Sequence, residues 1–179
     1  MPKGFFQVPT AKNEVPRSYA PGTPERAEMK KALDELKSKE VCVPMFIGGK
    51  EVRTDDKVAM HPPHELKHTL GHYHKGDETH VQQAVDAALA AKDKWAAMPW
   101  HERAAIFLKA ADLLTGPYRY KINAAAMLNT SKNVHQAEIE TVMEFADFLR
   151  YGVEFMTQIY KDQPFSPDGQ WNRMEYRPL

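Results

Sequence analysis

Five of the chain's eight histidines, His61, His64, His68, His72 and His74, fall within the single stretch HPPHELKHTLGHYH. Imidazole is a common zinc ligand, and His72 and His74 on a strand would point to one face. The spacing fits no ordinary zinc pattern. No cysteine pair accompanies it, and Pro62-Pro63 puts a turn between the first two histidines. A polar connecting loop is the stronger reading, with a histidine-based metal-binding module as its rival. The single cysteine, Cys42, would serve as a nucleophile only with a base or a helix N-terminus beside it. It stands between Val41 and Val43, just ahead of a hairpin signal, which favours a small buried hydrophobe. Lys132 with Asn133 could hold a phosphate, yet no G-x-G-x-x-G and no P-loop accompanies the pair. Asn133 reads better as the cap of a helix-to-helix corner.

Glu144 is the more pointed candidate. The main inward stripe of the longest helix is Val142, Phe145, Ala146, Leu149, Val153 and Met156. A second stripe runs Glu144, Phe148, Tyr151, Phe155, at steps of four, three and four. Asp147 lies one turn on. A carboxylate among aromatics suits a cationic ligand, because burying it unpaired is costly. The residues alone still favour a solvated glutamate at the edge of that stripe, since most glutamates are exposed. Nucleophile, base and oxyanion donor never fall together, so no catalytic residue is assigned within the chain.

The elements that must position these groups are mostly helical. Residues 1–24 hold five prolines and read as an extended arm lying on something else. A helix begins at TPERAEMKKALDELKSK, with Thr23 as N-cap and Pro24 at the first helical position. Met29, Leu33 and Leu36 form its apolar stripe. VPMFIGGKEV (43–52) carries a hairpin signal at Gly48-Gly49, and TLGHYHKGD (69–77) a further strand. From Asp77, a capping residue, the pattern turns helical, with Val81, Val85, Ala88, Leu89 and Trp95 inward. A second helix over 99–116 places Ile106, Ala110, Leu113 and Leu114 inward and ends at Gly116. A third covers 117–133, and the longest runs from about Val134 to Tyr160. The link DQPFSPDGQ leads to QWNRMEYRPL (170–179), whose alternation reads as a lone strand that needs a partner.

Composition limits the function classes. Twenty-four basic residues balance 24 acidic ones, so no net field favours nucleic acid. Apolar runs are short and broken by charge, so no membrane span is expected. One cysteine rules out an intrachain disulfide framework. The N-terminus lacks the long apolar core of a secretory signal and the arginine of a convincing transit peptide.

The order of motifs resembles the N-terminal part of the aldehyde dehydrogenase family, and within it the Δ1-pyrroline-5-carboxylate dehydrogenase (L-glutamate γ-semialdehyde dehydrogenase) branch. GTPERAEMKKAL is similar to that branch's first helix and VPMFIGGKEV to its first hairpin. AVDAALAAKDKWAAMPWHERAAIFLKAADLLTGPYRYKINAA resembles its next helices, and SKNVHQAEIETVMEFADFLRYGVEF its long helix. NRMEYRPL resembles the strand that begins the family's oligomerisation hairpin. The Trp95, Pro99, Arg103 spacing is general to aldehyde dehydrogenases, whereas SKN…AEIE…DFLR and the proline-rich arm are particular to the branch.

The resemblance implies an α/β fold, of which this chain is the helical N-terminal portion with a short hairpin and a terminal strand, lacking the main dinucleotide-binding sheet. It implies three parts: an arm (1–24), the N-terminal helical part of the cofactor-binding domain (25–170) and the first strand of the oligomerisation hairpin (171–179). It also implies oxidation of L-glutamate γ-semialdehyde to L-glutamate in proline catabolism, with NAD as cofactor and a homo-oligomer as the assembly. The compartment it implies is the mitochondrial matrix in a eukaryote and the cytoplasm otherwise. The family's catalytic cysteine, general base and nucleotide-binding residues fall beyond this chain, which alone is expected to be inactive. Cys42 does not match the catalytic cysteine, and no metal is implied at the histidines. One position carries over: in EFADF, Glu144 takes the family role of contacting the substrate's α-amino group. The competing reading is a non-enzymatic partner that pairs with a full-length subunit through QWNRMEYRPL.

Overall fold

The structure is a computed structural model, and it describes residues 6–177. Its elements are α1 (Pro24–Lys37), β1 (Val41–Val43), β2 (Met45–Ile47), β3 (Lys50–Val52), β4 (Lys57–Met60), β5 (Gly71–His74), α2 (Glu78–Ala97), α3 (Trp100–Thr115), α4 (Arg119–Thr130), α5 (Val134–Ala137), a π-helical segment (Glu138–Met143) and α6 (Glu144–Lys161). The α/β class and the dominance of helices follow the sequence pattern.

Local chemistry accounts for the helix ends. The Thr23 hydroxyl accepts from the Arg26 N–H at 3.4 Å, ahead of Pro24 at N1. Asp77 accepts from the N–H groups of Thr79 (2.9 Å) and His80 (3.2 Å), and the His80 ring returns a bond to the Asp77 N–H. Asn133 accepts from His135 and Gln136, and the Gln136 side chain closes the box on the Asn133 N–H. Each bond satisfies a donor that the first helical turn leaves without a partner. The third helix is shorter than 117–133. It ends at Thr130 because Ser131 takes the left-handed conformation (φ 57°), and Asn133 then starts the next helix.

The small strands form two sheets. β2 and β3 pair antiparallel through a two-residue turn, with Gly48 and Gly49 at φ 59° and 77°, the sign that a primed turn demands. β1, β5 and β4 form the other sheet in that order, β1 parallel and β4 antiparallel to β5. β4 was not foreseen from the sequence. β1 leaves the hairpin to join this second sheet, and Gly71 allows the close approach. Its φ is +146°, and a Cβ there would lie 1.9 Å from the Val41 carbonyl oxygen.

α3 packs along α6, and α1 along α4. The core joins Ala111 and Leu114 of α3 to Val142 and Ala146, with Ile122 and Leu149 against them. Small residues at the α3–α6 contact let the helices approach closely. Three sequence expectations change here. Of the inward residues assigned to α2, Val81, Val85, Ala88 and Leu89 are exposed, because this helix packs mainly on β2 and buries none of its residues. Ile106, Leu113 and Phe145 are also exposed, because the α3–α6 seam runs through Ala104, Ala111, Ala146 and Val153. Periodicity identifies apolar stripes, but it does not say which stripe the neighbours cover.

The third change concerns the C-terminal strand. Residues 171–177 adopt no strand, and residues 178–179 lie outside the described range. With no partner strand beside it, Met174 is held by the Gln163 side chain, whose amide binds both its N–H (2.9 Å) and its C=O (3.3 Å). Tyr176 stacks on Tyr160 at 5.6 Å.

Gly71→Ala is expected to separate β1 from β5. Amide hydrogen exchange should accelerate across Val41–Val43 while α3 and α6 remain protected.

Candidate functional site

The long helix presents two different carboxylate faces. One is buried. Glu138 and Arg119 are 0% and 2% exposed, and Glu138 sits where the π turn begins. The five-residue step of such a turn aligns Ala137 with Val142 toward the core. The Arg119 guanidinium meets Glu138 through both Nε and Nη2, with Nε 3.0 Å from Oε1. Glu138 also accepts from the Tyr19 hydroxyl (2.7 Å), the Asn123 amide (2.7 Å) and the Arg17 N–H (3.0 Å). Arg119 reaches on to Glu14 at 2.9 Å, and Arg150 takes the other Glu14 oxygen at 2.7 Å. Two guanidinium groups and two carboxylates thus share one network.

That network holds the arm. Arm N–H groups of Ala11, Glu14 and Arg17 donate to the side chains of Glu154 (2.6 Å), Asp147 (2.7 Å) and Glu138 (3.0 Å). The arm advances three residues per anchor while the anchors retreat along the helix, so the two run antiparallel. The described part of the arm forms no helix or strand, and these carboxylates replace the partner strand that would otherwise satisfy its N–H groups. An arm lying on something else was legible in the sequence; the acids that hold it were not singled out. The one available signal was a glutamate set among apolar residues in AEIE, with Arg119 between two tyrosines.

The other face is open. Glu144 begins α6 and is exposed. Its sequence neighbour Asp147 is committed to the arm, accepting from the Glu14 N–H (2.7 Å) and the Asn13 amide (2.9 Å). Tyr151 is committed too, with its hydroxyl donating to Asn13 at 3.0 Å. Phe148 and Phe155 are 75% and 54% exposed, and Tyr151 and Phe155 lie 5.9 Å apart. Among the described residues the helix therefore offers, at Glu144, a carboxylate without a hydrogen-bond or ion-pair partner beside exposed aromatic rings. Such a surface suits a small cation, with the carboxylate as acceptor and the rings as walls.

The other sequence candidates separate. His61 bonds the His68 carbonyl, His64 the Ser131 hydroxyl, and His72 lies 3.7 Å from Glu40. His74 is buried against Thr54 and Cys42. Among the described residues no group of three or more metal-ligating side chains converges. Lys132 pairs with Glu140 and Asn133 caps α5, so that corner is structural. Cys42 is exposed, not buried, because β1 is the outer strand of its sheet. Arg103 ties three helices together. Its guanidinium lies 5.9 Å over Trp95, bonds the Trp95 carbonyl at 3.4 Å and reaches the Tyr160 hydroxyl at 3.1 Å.

A family model described as "Aldehyde dehydrogenase family" matches residues 51–179. The chain belongs to the aldehyde dehydrogenase family. It is 49% identical over 176 residues to the Delta-1-pyrroline-5-carboxylate dehydrogenase of Agaricus bisporus, covering 97% of this chain and 32% of that relative. It is 36% identical to the mitochondrial enzyme of that name from Homo sapiens, covering 93% of this chain and 30% of the human protein. A crystal structure of the Mycobacterium tuberculosis Delta-pyrroline-5-carboxylate dehydrogenase bound with NAD superposes with a TM-score of 0.96 at 45% identity, over 98% of this chain and 33% of that one. The chain thus spans about a third of the length of the relatives it matches. This portion of the aldehyde dehydrogenase fold contains the arm, the long helix and the two small sheets.

Two predictions follow from the arm network. Glu138→Ala leaves Arg119 buried without its main partner, at a cost of about 3–5 kcal/mol, read as a lowered urea midpoint. Acid should have a related effect. Burial opposes ionisation of Glu138, but the Arg119 guanidinium, the Arg17 N–H and the Tyr19 hydroxyl outweigh it and hold the carboxyl below its ordinary 4.5. Burial likewise opposes ionisation of Glu14, and Arg150 and Arg119 hold it low. Both carboxyls ionise more readily folded than unfolded. Their contribution is complete above the unfolded value of 4.5 and is lost as pH falls through the lower folded one. Urea midpoints measured from about pH 6 down to about pH 3 should fall most steeply below about pH 4.5, and the arm's amide exchange should accelerate first.

Proposed function

We propose that this chain is the N-terminal portion of an NAD-dependent L-glutamate γ-semialdehyde dehydrogenase, acting in proline catabolism to yield L-glutamate, and that Glu144 selects the substrate through its α-ammonium group. The observation that carries the proposal is the uncommitted Glu144 carboxylate at the start of α6, on a backbone that superposes with a TM-score of 0.96 on a Delta-pyrroline-5-carboxylate dehydrogenase. Neighbouring Asp147 is held by the arm, so Glu144 is the acid left to meet a cation. Its contribution would be recognition: an ion pair fixes the amino end of the substrate, and the carbon to be oxidised lies at the other end.

This chain's own residues do not fit a dinucleotide. Its nine glycines form no G-x-G-x-x-G, and its two sheets are small, with no strand longer than four residues among those described. NAD would be held by parts of the enzyme outside this chain. The isolated chain is accordingly expected to be inactive.

A second reading, a non-enzymatic partner that binds a full-length subunit, draws on the apolar surface. Val81, Leu89, Phe148, Phe165 and Trp171 are all more than 60% exposed, an amount that invites cover. The same surface, with the extended 171–177 segment, supports homo-oligomerisation through the C-terminal end of the chain. The compartment proposed is the mitochondrial matrix in a eukaryote and the cytoplasm otherwise.

Glu144→Ala in the complete dehydrogenase should raise KM for the semialdehyde about tenfold to a hundredfold, the worth of a hydrogen bond to a charged group. KM for NAD should stay unchanged. Equal semialdehyde kinetics in the two proteins would remove Glu144 from the site. Purified 179-residue chain given semialdehyde and NAD should produce no NADH. Recovery of the short chain bound to a full-length dehydrogenase from its source would favour the partner reading.

A further inference from the structure

Outside the Glu144 face, one nucleophile and one base lie in contact. Cys42 and His74 occupy adjacent parallel strands, where Cys42 is in register with His72 and so shares a face with His74, two residues on. The Cys42 Sγ lies 3.1 Å from His74 Nε2. His74 is only 5% exposed, and its other ring nitrogen meets the Thr54 backbone, 2.7 Å from the carbonyl oxygen and 2.8 Å from the N–H. A base oriented by a third group beside a nucleophile is the general arrangement for activating a thiol. A cation completes the set: Arg53 Nη1 lies 3.5 Å from the same sulfur, and Glu51 holds the guanidinium at 3.0 Å. The sulfur's residue is exposed at the edge of its sheet, whereas the base is buried behind it. A reagent therefore meets the sulfur first.

We propose that Cys42 is a peroxide-reactive thiol, with His74 as its base and Arg53 as the donor to the charge that develops. Sγ attacks one oxygen of hydrogen peroxide, an S–O bond forms and the O–O bond breaks. His74 Nε2 takes the thiol proton and passes it to the departing hydroxide, which leaves as water. Sulfur is oxidised by two electrons to a sulfenic acid, and the peroxide is reduced by the same two. In this role His74 carries its proton on Nδ1, directed to the Thr54 carbonyl at 2.7 Å in place of accepting the Thr54 N–H at 2.8 Å, and that tautomer leaves Nε2 free to accept. These 179 residues hold no second cysteine, and a thiol such as glutathione returns the sulfenic acid to the thiol by way of a mixed disulfide.

Because Cys42 is the chain's one cysteine, every thiol signal reports on it. Hydrogen peroxide is added to the folded chain and to the same chain unfolded in urea at one pH, and the sulfenic acid is trapped with dimedone and counted by mass. The folded chain should react at least about tenfold faster, at the low end of what a placed base supplies. His74→Gln should bring the rate down to the unfolded value. Arg53→Gln, at an exposed position that leaves the sheet intact, should lower it several-fold. A folded rate equal to or below the unfolded one overturns the proposal without any variant. A folded His74→Gln protein, checked by circular dichroism, that reacts as fast as the parent overturns it as well.

Discussion

The buried Arg119–Glu138 pair is the constraint on which the rest of this structure depends. A guanidinium and a carboxylate taken fully out of water cost several kcal/mol each unless every remaining hydrogen-bonding site is used. Here the sites are used by distant parts of the chain. Tyr19 and Arg17 come from the arm, Asn123 from α4, and Glu14 and Arg150 extend the network to the arm and α6. Satisfying one pair therefore fixes three elements at once. The described part of the arm forms no helix or strand, and three of its N–H groups, those of Ala11, Glu14 and Arg17, end on carboxylates of the long helix.

The same arrangement divides the carboxylates of the long helix between those that hold the arm and one that faces outward. Glu138, Asp147 and Glu154 all serve the arm, whereas Glu144 faces outward. The division is made by geometry. The π segment ends immediately before Glu144, and the α-helical phase that follows carries Ala146 and Val153 into the core. By engaging Asp147, the arm leaves a single acceptor. π segments recur at functional positions in helices, and this one precedes the acid to which family resemblance assigns substrate contact.

The exposed apolar surface is read most simply through the length of the relatives. A soluble helix with Val81, Val85 and Leu89 in water is uneconomical on its own, and the chain spans about a third of its relatives. The face of Val81, Val85 and Leu89 is inward-facing in pattern, and these three residues are exposed in the structure. The final segment makes the same point. Its alternating sequence is that of a strand, but a strand is a relation between two chains of hydrogen bonds, and among the described residues the Gln163 amide and the Ser166 hydroxyl stand in for the second.

Much was settled by the sequence alone. Caps at Thr23, Asp77 and Asn133, the Gly48-Gly49 turn and the termination at Gly116 are local: each depends on a side chain meeting a backbone group a few residues away. Family membership was legible for the same reason, because long runs such as the one ending in DFLRYGVEF are patterns in order. The Glu144 stripe was visible as spacing, although its freedom from partners was not. Tertiary structure decided what depends on distant residues meeting. It placed Cys42 against His74 from 32 positions away, where the sequence suggested a buried hydrophobe. It joined Arg119 and Glu138 to an arm more than 100 residues earlier. It also chose which apolar stripes to cover. Hydrogen bonds between remote segments leave no periodic trace, so periodicity along the chain does not show which residues meet.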